Sequence, residues 1–533
     1  MTARRFLAFL LAGALLLLGV GFGGWWLVLN RSPLRLQHQP LAIPVAARFV
    51  PRLSPLSLFL LTDGQEPLDY VRAVVTPRQR RAARAAVARL RDGAFATAGL
   101  DYATELSSWL GPEIGLAVMD AGDGSHPDDW LLSLCSRDGD GARRFLQRFW
   151  QTRSLAGTDL QISSYRGMGL ISGRGALVGR EVVPIATALI NDDLVLIASG
   201  RGVLEQALDV SQIDALNLAA SEPFRSGVNS LGEGVALLTA RPAALGSWLG
   251  IPQPILEQGG IARLLASLRP EGTSLTVEAI LSGSAVAEEG PTVAVVEPEA
   301  QIGADALLRE LRGEADSLAL IQNPADRSGL VQSFLAGALA DVPSPLPALV
   351  SAADHGPLLV ARSEDGWLLG TASAEPASEL LEPALAAEGL IAAPLQLGDG
   401  TQVRVWTQLA VSATGRQGRG PGTQLQAELA GARLGLGDLA WWAERLTRLE
   451  QQSEARRGPR QRLEQLASLH RSAAAAQWAV GADQARVILR NWAGLKWLST
   501  LAGQPLADAA EGLAVAATPE AGGYRLRVRV DLA

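Results

Sequence analysis

Apolar and polar positions fall into readable order from Gly111 to about Ser211. Pro112 to Asp120 (PEIGLAVMD) is a short apolar run ending in the turn-rich AGDGSHPDD, and Trp130 to Cys135 (WLLSLC) follows. The pair predicts a β-hairpin with a long loop. Gly141 to Thr152 then sets Phe145, Phe149 and Trp150 on one side of a helix. A long strand (LQISSYRGMGLISG), a hairpin through Asn191-Asp192-Asp193 and a helix from Val203 to Leu208 complete the block.

The same order returns after residue 350. PLLVARSEDGWLLGTAS predicts a hairpin through Glu364-Asp365-Gly366, followed by helix ASELLEPALAAEG and strand LIAAPLQLGDGTQVRVWTQLA. Hairpin QLQAELAGARLGLG then leads into a helix LAWWAERLTRL. The flanks match as well, PRLSPLSLFLLTDG near residue 58 with LRGEADSLALIQNP near residue 318. Hairpins mixed with helices, without strict strand–helix alternation, predict α+β architecture with largely antiparallel sheets. The expected fold is therefore an N-terminal transmembrane helix followed by two similar, duplicated α+β domains.

The domain boundaries follow from composition. Residues 1–29 read as a short cytoplasmic tail and membrane anchor, and 30–44, with Pro33, Pro40 and Pro44, as a stalk. Repeat 1 covers 45–284, a small-residue, acidic linker 285–301, and repeat 2 302–533. In repeat 2, Leu439, Trp442, Leu446 and Leu449, then Leu463, Leu466 and Leu469, predict a helical hairpin insertion near 438–475. Adjacent Trp441 and Trp442 diverge by about 100° on a helix, which would leave one of them exposed or in an interface, or else facing a second packing layer within the domain.

The anchor rests on Phe6 to Leu29, 24 residues without a charge. As a helix they reach roughly 36 Å, enough to cross a bilayer. Arg4 and Arg5 favour a cytoplasmic N-terminus, so the expected protein is single-pass with its bulk in the periplasm or thylakoid lumen. A net charge of −7 argues against a nucleic-acid partner. Lys496 is the only lysine among 46 arginines, a mark of base composition.

Candidate chemistry is sparse. Loop Asp120 to Asp129 clusters four Asp with His126, but lacks the spacing and terminal Glu of a calcium loop. His38, His126, His355 and His470 form no zinc-binding spacing, and no G-x-S-x-G elbow accompanies a serine. Cys135 lies mid-strand, where alternation buries it. Gly167, Gly169, Gly173 and Gly175 follow a strand pattern without the Lys-Ser/Thr of a phosphate loop, and Gly415 to Gly422 reads as a connecting loop. Pro77 to Asp92 is the one basic helix, with Arg80, Arg84 and Arg91 opposite Ala83 and Leu90; it reads as a solvated face or as a surface for anionic headgroups. No catalytic, cofactor-binding or metal-ligating residue is assigned.

The succession AARFVPRLSPLSLFLLTDG, LDYATELSSWLGPEIGLAVMD, YRGMGLISG and ATALINDDLVLIASG, behind an N-terminal anchor, resembles the cyanobacterial single-pass proteins built on domain of unknown function 3352. The resemblance is densest over residues 45–220. It implies an envelope or thylakoid-membrane location and supplies no catalytic residue. The expected function is a binding or assembly factor rather than an enzyme. The expected partners are the bilayer, through the N-terminal helix, and a membrane protein or a small apolar ligand in an inter-domain cleft. An extracytoplasmic hydrolase with a spatially assembled site is the alternative, and a structural spacer the third reading.

Overall fold

The structure is a computed structural model. It describes residues 32–119, 129–154, 160–175, 183–247, 261–283, 298–326, 328–340, 342, 356–372, 383, 385–387, 389–414, 422–453, 460–469, 474–520 and 522–533. The chain divides into two compact units. Unit 1 comprises residues up to Thr239 with Leu265–Leu275 and Leu498–Gln504, and unit 2 comprises Ala240–Leu264, Thr276–Trp497 and Pro505–Ala533. The division therefore does not fall at the expected linker.

In unit 1 the strands are β1 (Leu56–Leu60), β2 (Leu110–Val118), β3 (Trp130–Ser136), β4 (Gln161–Tyr165), β5 (Met168–Gly175), β6 (Val183–Ile190), β7 (Leu194–Ala198) and β8 (Ala236–Ala240). They pair in the order β8-β1-β2-β3-β7-β6-β5-β4. Strand β9 (Ile261–Glu271) gives its residues from Leu265 onward to this unit, and β10 (Ser274–Gly283) lies in unit 2 from Thr276.

Unit 2 continues with β11 (Ser317–Ile321), β12 (Leu358–Ser363), β13 (Gly366–Thr371), β14 (Ile391–Gln396) and β15 (Gln402–Thr414). Strands β16 (Gly422–Leu436), β17 (Leu439–Ala443), β18 (Ala476–Gly481), β19 (Ala510–Glu520) and β20 (Gly523–Leu532) follow. Their order is β10-β20-β19-β18-β11-β12-β13-β17-β16-β15-β14. Subtracting ten from each number between β18 and β14 reproduces the order of unit 1. Neighbouring strands run antiparallel from β1 to β4 and from β20 to β14.

The central strands are buried on both faces, so they read as unbroken apolar runs. Alternation still sorts their side chains. On β11, Leu318 and Leu320 join one core while Ala319 and Ile321 join another on the opposite face. Helices Pro298–Glu310, Leu446–Ser453 and Gln461–Ser468 cover the first face with Leu307, Leu449 and Leu466; helix Gly329–Leu339 covers the second with Val331 and Leu335. In unit 1, helix Gly139–Ser154 lays Phe145, Phe149 and Trp150 on Leu132, Leu134, Ile185, Val195 and Ile197. That stripe is the one its spacing predicts.

Several expectations are corrected. Helix and strand each make up 38% of the described residues, and the expected opening membrane helix finds no counterpart: among the described residues no helix is long and apolar enough to cross a membrane. The longest of these, Arg80–Thr97, spans 18 residues but carries five arginines and an aspartate. Residues 6–29 lie outside the described residues, so the single-pass localisation loses its support here and is not carried further.

The expected stalk is built into unit 1: Leu36 is buried, the Leu41 N–H donates to Gly232 O at 2.8 Å, and Gln39 Nε2 donates to Leu61 O at 2.5 Å. The two long strands predicted over 160–173 and 390–410 are hairpins, β4–β5 turning at Arg166-Gly167 and β14–β15 turning at Gly398–Gly400. The helix predicted through LAWWAERLTRL begins only at Leu446, because Leu439–Ala443 is β17. A strand resolves the Trp441-Trp442 problem: neighbours point to opposite faces, so both indoles are buried, each in a different core. Gly370 faces Trp441 across the ladder, and a Cβ there would lie 2.7 Å from the ring.

Candidate functional site

The residues singled out from sequence do not converge. Loop residues 120–128 with His126, and also His355, His470 and Gly415 to Arg419, lie outside the described residues. Asp129 accepts from Ser199 Oγ at 2.9 Å, which fastens the end of its loop to β7. His38 is exposed, 3.5 Å from Glu233 Oε1. Cys135 is half-buried, and burial first, then the charges of Glu113 and Asp193, push its thiol up to about 12. It stays protonated at neutral pH and is a poor nucleophile. Gly167 (φ 82°) follows Arg166 (φ 52°) as the second left-handed residue of the β4–β5 turn, and Gly169 lies on β5. Among the described residues no group of three or more His, Cys, Asp or Glu is placed to hold a metal ion.

The basic helix spans Arg80–Thr97, starting and ending a few residues later than its spacing predicts. Between Val71 and Arg91 there are seven arginines and no acid. Arg91 is turned inward: its guanidinium lies 3.8 Å from the Tyr102 ring centroid and donates to Gly64 O at 3.1 Å. Arg80 and Arg89 bond backbone carbonyls of their own segment, Val75 O and Ala85 O. Arg72, Arg78, Arg81 and Arg84 are exposed, and among the described residues their side chains have no hydrogen-bond or ion-pair partner. The first turn has neither an acidic residue nor a side-chain cap, so Arg78 and Arg81 sit at the end where the helix dipole is already positive, with Arg84 one turn on, whereas Arg72 closes the last turn of the preceding helix Glu66–Val74.

A second concentration of unusual groups lies in unit 2. Trp367 on β13, Trp406 on β15 and Trp442 on β17 share one core, with exposures of 4%, 3% and 2%. Among the described residues none of their Nε1–H groups has an acceptor, and the same holds for Trp441 in the opposite core. The Trp406 and Trp442 rings stack 5.6 Å apart at 19°, across the intervening β16. They can do so because the residue paired with Trp406 on β16 is Gly431, which puts no side chain between them. Arg433, paired with Trp442, holds its guanidinium 5.0 Å from that ring.

The comparisons decide the family before they say anything of activity. The profile described as protein of unknown function (DUF3352) matches residues 10–320, more than half of the chain. The chain belongs to the DUF3352 family. That assignment carries no source organism. No curated protein matches this DUF3352 chain in sequence. Crystal forms I and III of TP0453 are similar to it with TM-scores of 0.25 and 0.26 and identities of 10% and 11%. They cover 45% and 51% of this chain and 80% and 90% of their own. A likeness at that level bears on neither fold nor function.

Trp367, Trp406 and Trp442 lie beyond the residues that carry the DUF3352 match. Sequence reasoning noted their abundance but not their convergence, and it missed Arg433 and Arg448 altogether. Arg448 is 1% exposed. It donates to Glu314 O at 2.7 Å and to Gln451 Oε1 at 2.9 Å, and burial lowers its pKa from the usual arginine value. Together with Gln452, which donates to Glu310 O at 2.6 Å, it ties helix Leu446–Ser453 to the turn at Gly313. This is a structural lock. Its one sequence signal is Gly313, whose φ of 78° leaves the room that Arg448 fills.

Proposed function

We propose that this DUF3352 chain is a non-catalytic binding module that docks an acidic segment of a partner protein through helix Arg80–Thr97. The supporting observation is the set of exposed arginines at the start of this helix, Arg78, Arg81 and Arg84, without a side-chain partner among the described residues, in a chain of net charge −7. A helix start normally carries acids, which its dipole favours by about 0.3–1 kcal/mol each. Arginines there are electrostatically frustrated, and carboxylates brought by a partner relieve both the dipole and the mutual repulsion. Nucleic acid fits less well, because the net negative charge opposes a polyanion at long range. The large apolar residues of this helix, Leu90 and Phe95, are half-buried and buried, which leaves little to insert into a lipid surface.

The test uses the full-length chain and a fluorescein-labelled oligoglutamate peptide of about ten residues, read by anisotropy at low and physiological salt. Binding that weakens with salt, and weakens at least about tenfold in Arg81→Glu/Arg84→Glu, supports the docking reading. The same variant is expected to melt at a higher temperature, since acids replace cations at the helix start. Equal binding by wild type and variant, or no binding by wild type at low salt, rejects it.

A further inference from the structure

We propose that β4, the terminal strand of the unit 1 sheet, pairs edge to edge with β4 of a second copy of this chain, antiparallel about a two-fold axis at Ile162. This goes beyond the docking helix Arg80–Thr97 and rests on none of its residues.

The first observation is which backbone groups are open. Tyr165 and Met168 flank the turn at Arg166-Gly167, whose φ values of 52° and 82° are both positive, as in a two-residue type I′ hairpin. The flanking pair of such a turn exchanges both hydrogen bonds, and the pairs along the ladder then alternate. Tyr165, Ser163 and Gln161 therefore turn their N–H and C=O groups to β5, while Ser164 and Ile162 turn theirs to the edge. Among the described residues no strand pairs there. Natural edge strands are blunted by a charge, a proline or a bulge. The corresponding strand of unit 2, β14, carries Pro394, whereas β4 has none of the three, and Leu160 to Tyr165 is without charge.

The second observation is what lies along that edge. Ile162 is 82% exposed, more than any other large apolar residue described. It ends a row across the sheet, Ile197–Thr187–Ile171–Ile162, in which Ile197 is buried in the core beneath helix Gly139–Ser154 and Ile171 packs half-buried against it. Pairing about Ile162 sets the second copy's Ile162 beside it, carries the row onward, and brings Leu160 opposite Ser164. Pairing about Ser163 would instead leave each Ile162 opposite a serine. The third observation is Ser163 itself. Its Oγ is buried without a hydrogen-bond partner, the one such side-chain atom of unit 1 among the described residues. Pairing about Ile162 sets the second copy's Gln161 directly opposite it, in a non-hydrogen-bonded pair whose Cα atoms approach to about 4.5 Å. The Gln161 amide, exposed in the single chain, supplies the missing partner. Charge favours a second copy over an acidic or basic peptide, because the edge offers no ion to pair with and like meets like without repulsion.

The experiment follows the full-length chain by sedimentation equilibrium on dilution, where a monomer–dimer equilibrium is expected. Ile162→Lys, at a position the fold leaves exposed, and Ser164→Pro, which deletes an edge N–H and spares the β5 ladder, are each expected to weaken the dimer at least about tenfold. Both should melt as wild type at concentrations where all are monomeric; if Ser164→Pro fails to fold, Ile162→Lys and a cross-link decide. In the paired strands the two Ile162 Cα atoms lie about 5.5 Å apart, within disulfide range. Copper-phenanthroline should therefore link Ile162→Cys into a covalent dimer much faster than Ser108→Cys, an exposed site on the turn before β2. Native Cys135, its thiol pushed up to about 12 by burial, stays silent. Arg81→Glu/Arg84→Glu should leave the equilibrium unchanged, which separates this edge from the docking helix. The proposal is overturned by a wild-type chain that stays monomeric, by a dimer that survives either folded edge variant or is lost with the helix arginines, or by Ile162→Cys linking no faster than Ser108→Cys.

Discussion

The two units solve the same problem with opposite results. In each unit large aromatic residues pack on a sheet of the same strand order, supplied in unit 1 by helix Gly139–Ser154 and the turn at Trp109 and in unit 2 by strands β13, β15 and β17. In unit 1 the indoles of Trp109 and Trp150 end on acceptors, one on its own preceding turn and one on Thr187 of β6. In unit 2 the strand at the corresponding place, β16, offers Gly431 and Arg433 opposite Trp406 and Trp442, and neither is an acceptor. Unit 1 closes its core; unit 2 leaves donors pointed at nothing within it. A fold repeated in outline thus satisfies its buried indole donors in one copy and not in the other.

The largest effects test whether the two cores are comparable at all. Trp109→Ala and Trp441→Ala each remove a fully buried indole and are expected to cost about 3–5 kcal/mol, similar in the two units because lost volume dominates. Urea unfolding followed by intrinsic fluorescence measures both. A loss below about 1 kcal/mol in either unit would mean that its aromatic face is not a packed core.

A smaller change isolates the hydrogen bond. Trp150→Phe leaves the Thr187 hydroxyl without its donor and should cost about 2 kcal/mol, whereas Trp442→Phe removes an orphan donor and should cost under about 1 kcal/mol. Thr187→Val converts unit 1 toward the condition of unit 2 and is expected to cost about 1–2 kcal/mol. Equal costs for the two Trp→Phe changes would erase the contrast.

The smallest effect concerns pH. Glu113 accepts from the N–H groups of Ala46 and Val45 at 2.8 and 3.0 Å, yet burial, the larger influence, raises its pKa above 4.5. The folded chain then holds its proton more tightly than the unfolded one. The resulting stability is fully present below 4.5 and is lost as pH rises through the raised folded value. Glu113→Gln, which cannot ionise, should therefore gain on wild type between about pH 4 and about pH 7, by a fraction of a kcal/mol. Denaturation midpoints at the two values give the answer, and an unchanged difference would deny the group any part in the pH response.

Much of the architecture was legible. Phe145, Phe149 and Trp150 recur at helical spacing, and the structure places them on a helix over one core. Asn191 and Asp192 sit in a turn with φ of 48° and 61°, a backbone that Asn and Asp tolerate better than most residues. Leu439 to Ala443 was not legible. Five apolar residues in a row fit a buried strand and a buried helix equally, and Leu446 and Leu449 downstream pulled the pattern toward helix. Arg448 was equally hidden, because an arginine in a helix reads as surface until the loop it enters is known.

The sequence alone determined elements such as the β12–β13 hairpin and helix Gly139–Ser154, since those depend on spacing between near neighbours. Only the tertiary structure decided that LAWWA is a strand with a core on each face, and that the indoles of Trp367, Trp406, Trp441 and Trp442 lack acceptors among the described residues. The reason is physical: periodicity records which side of an element is apolar, but whether a donor meets an acceptor depends on the residue set opposite it by pairing with another strand. Thr187 and Gly431 are unremarkable in their own segments, and each acquires its meaning from the tryptophan across the sheet.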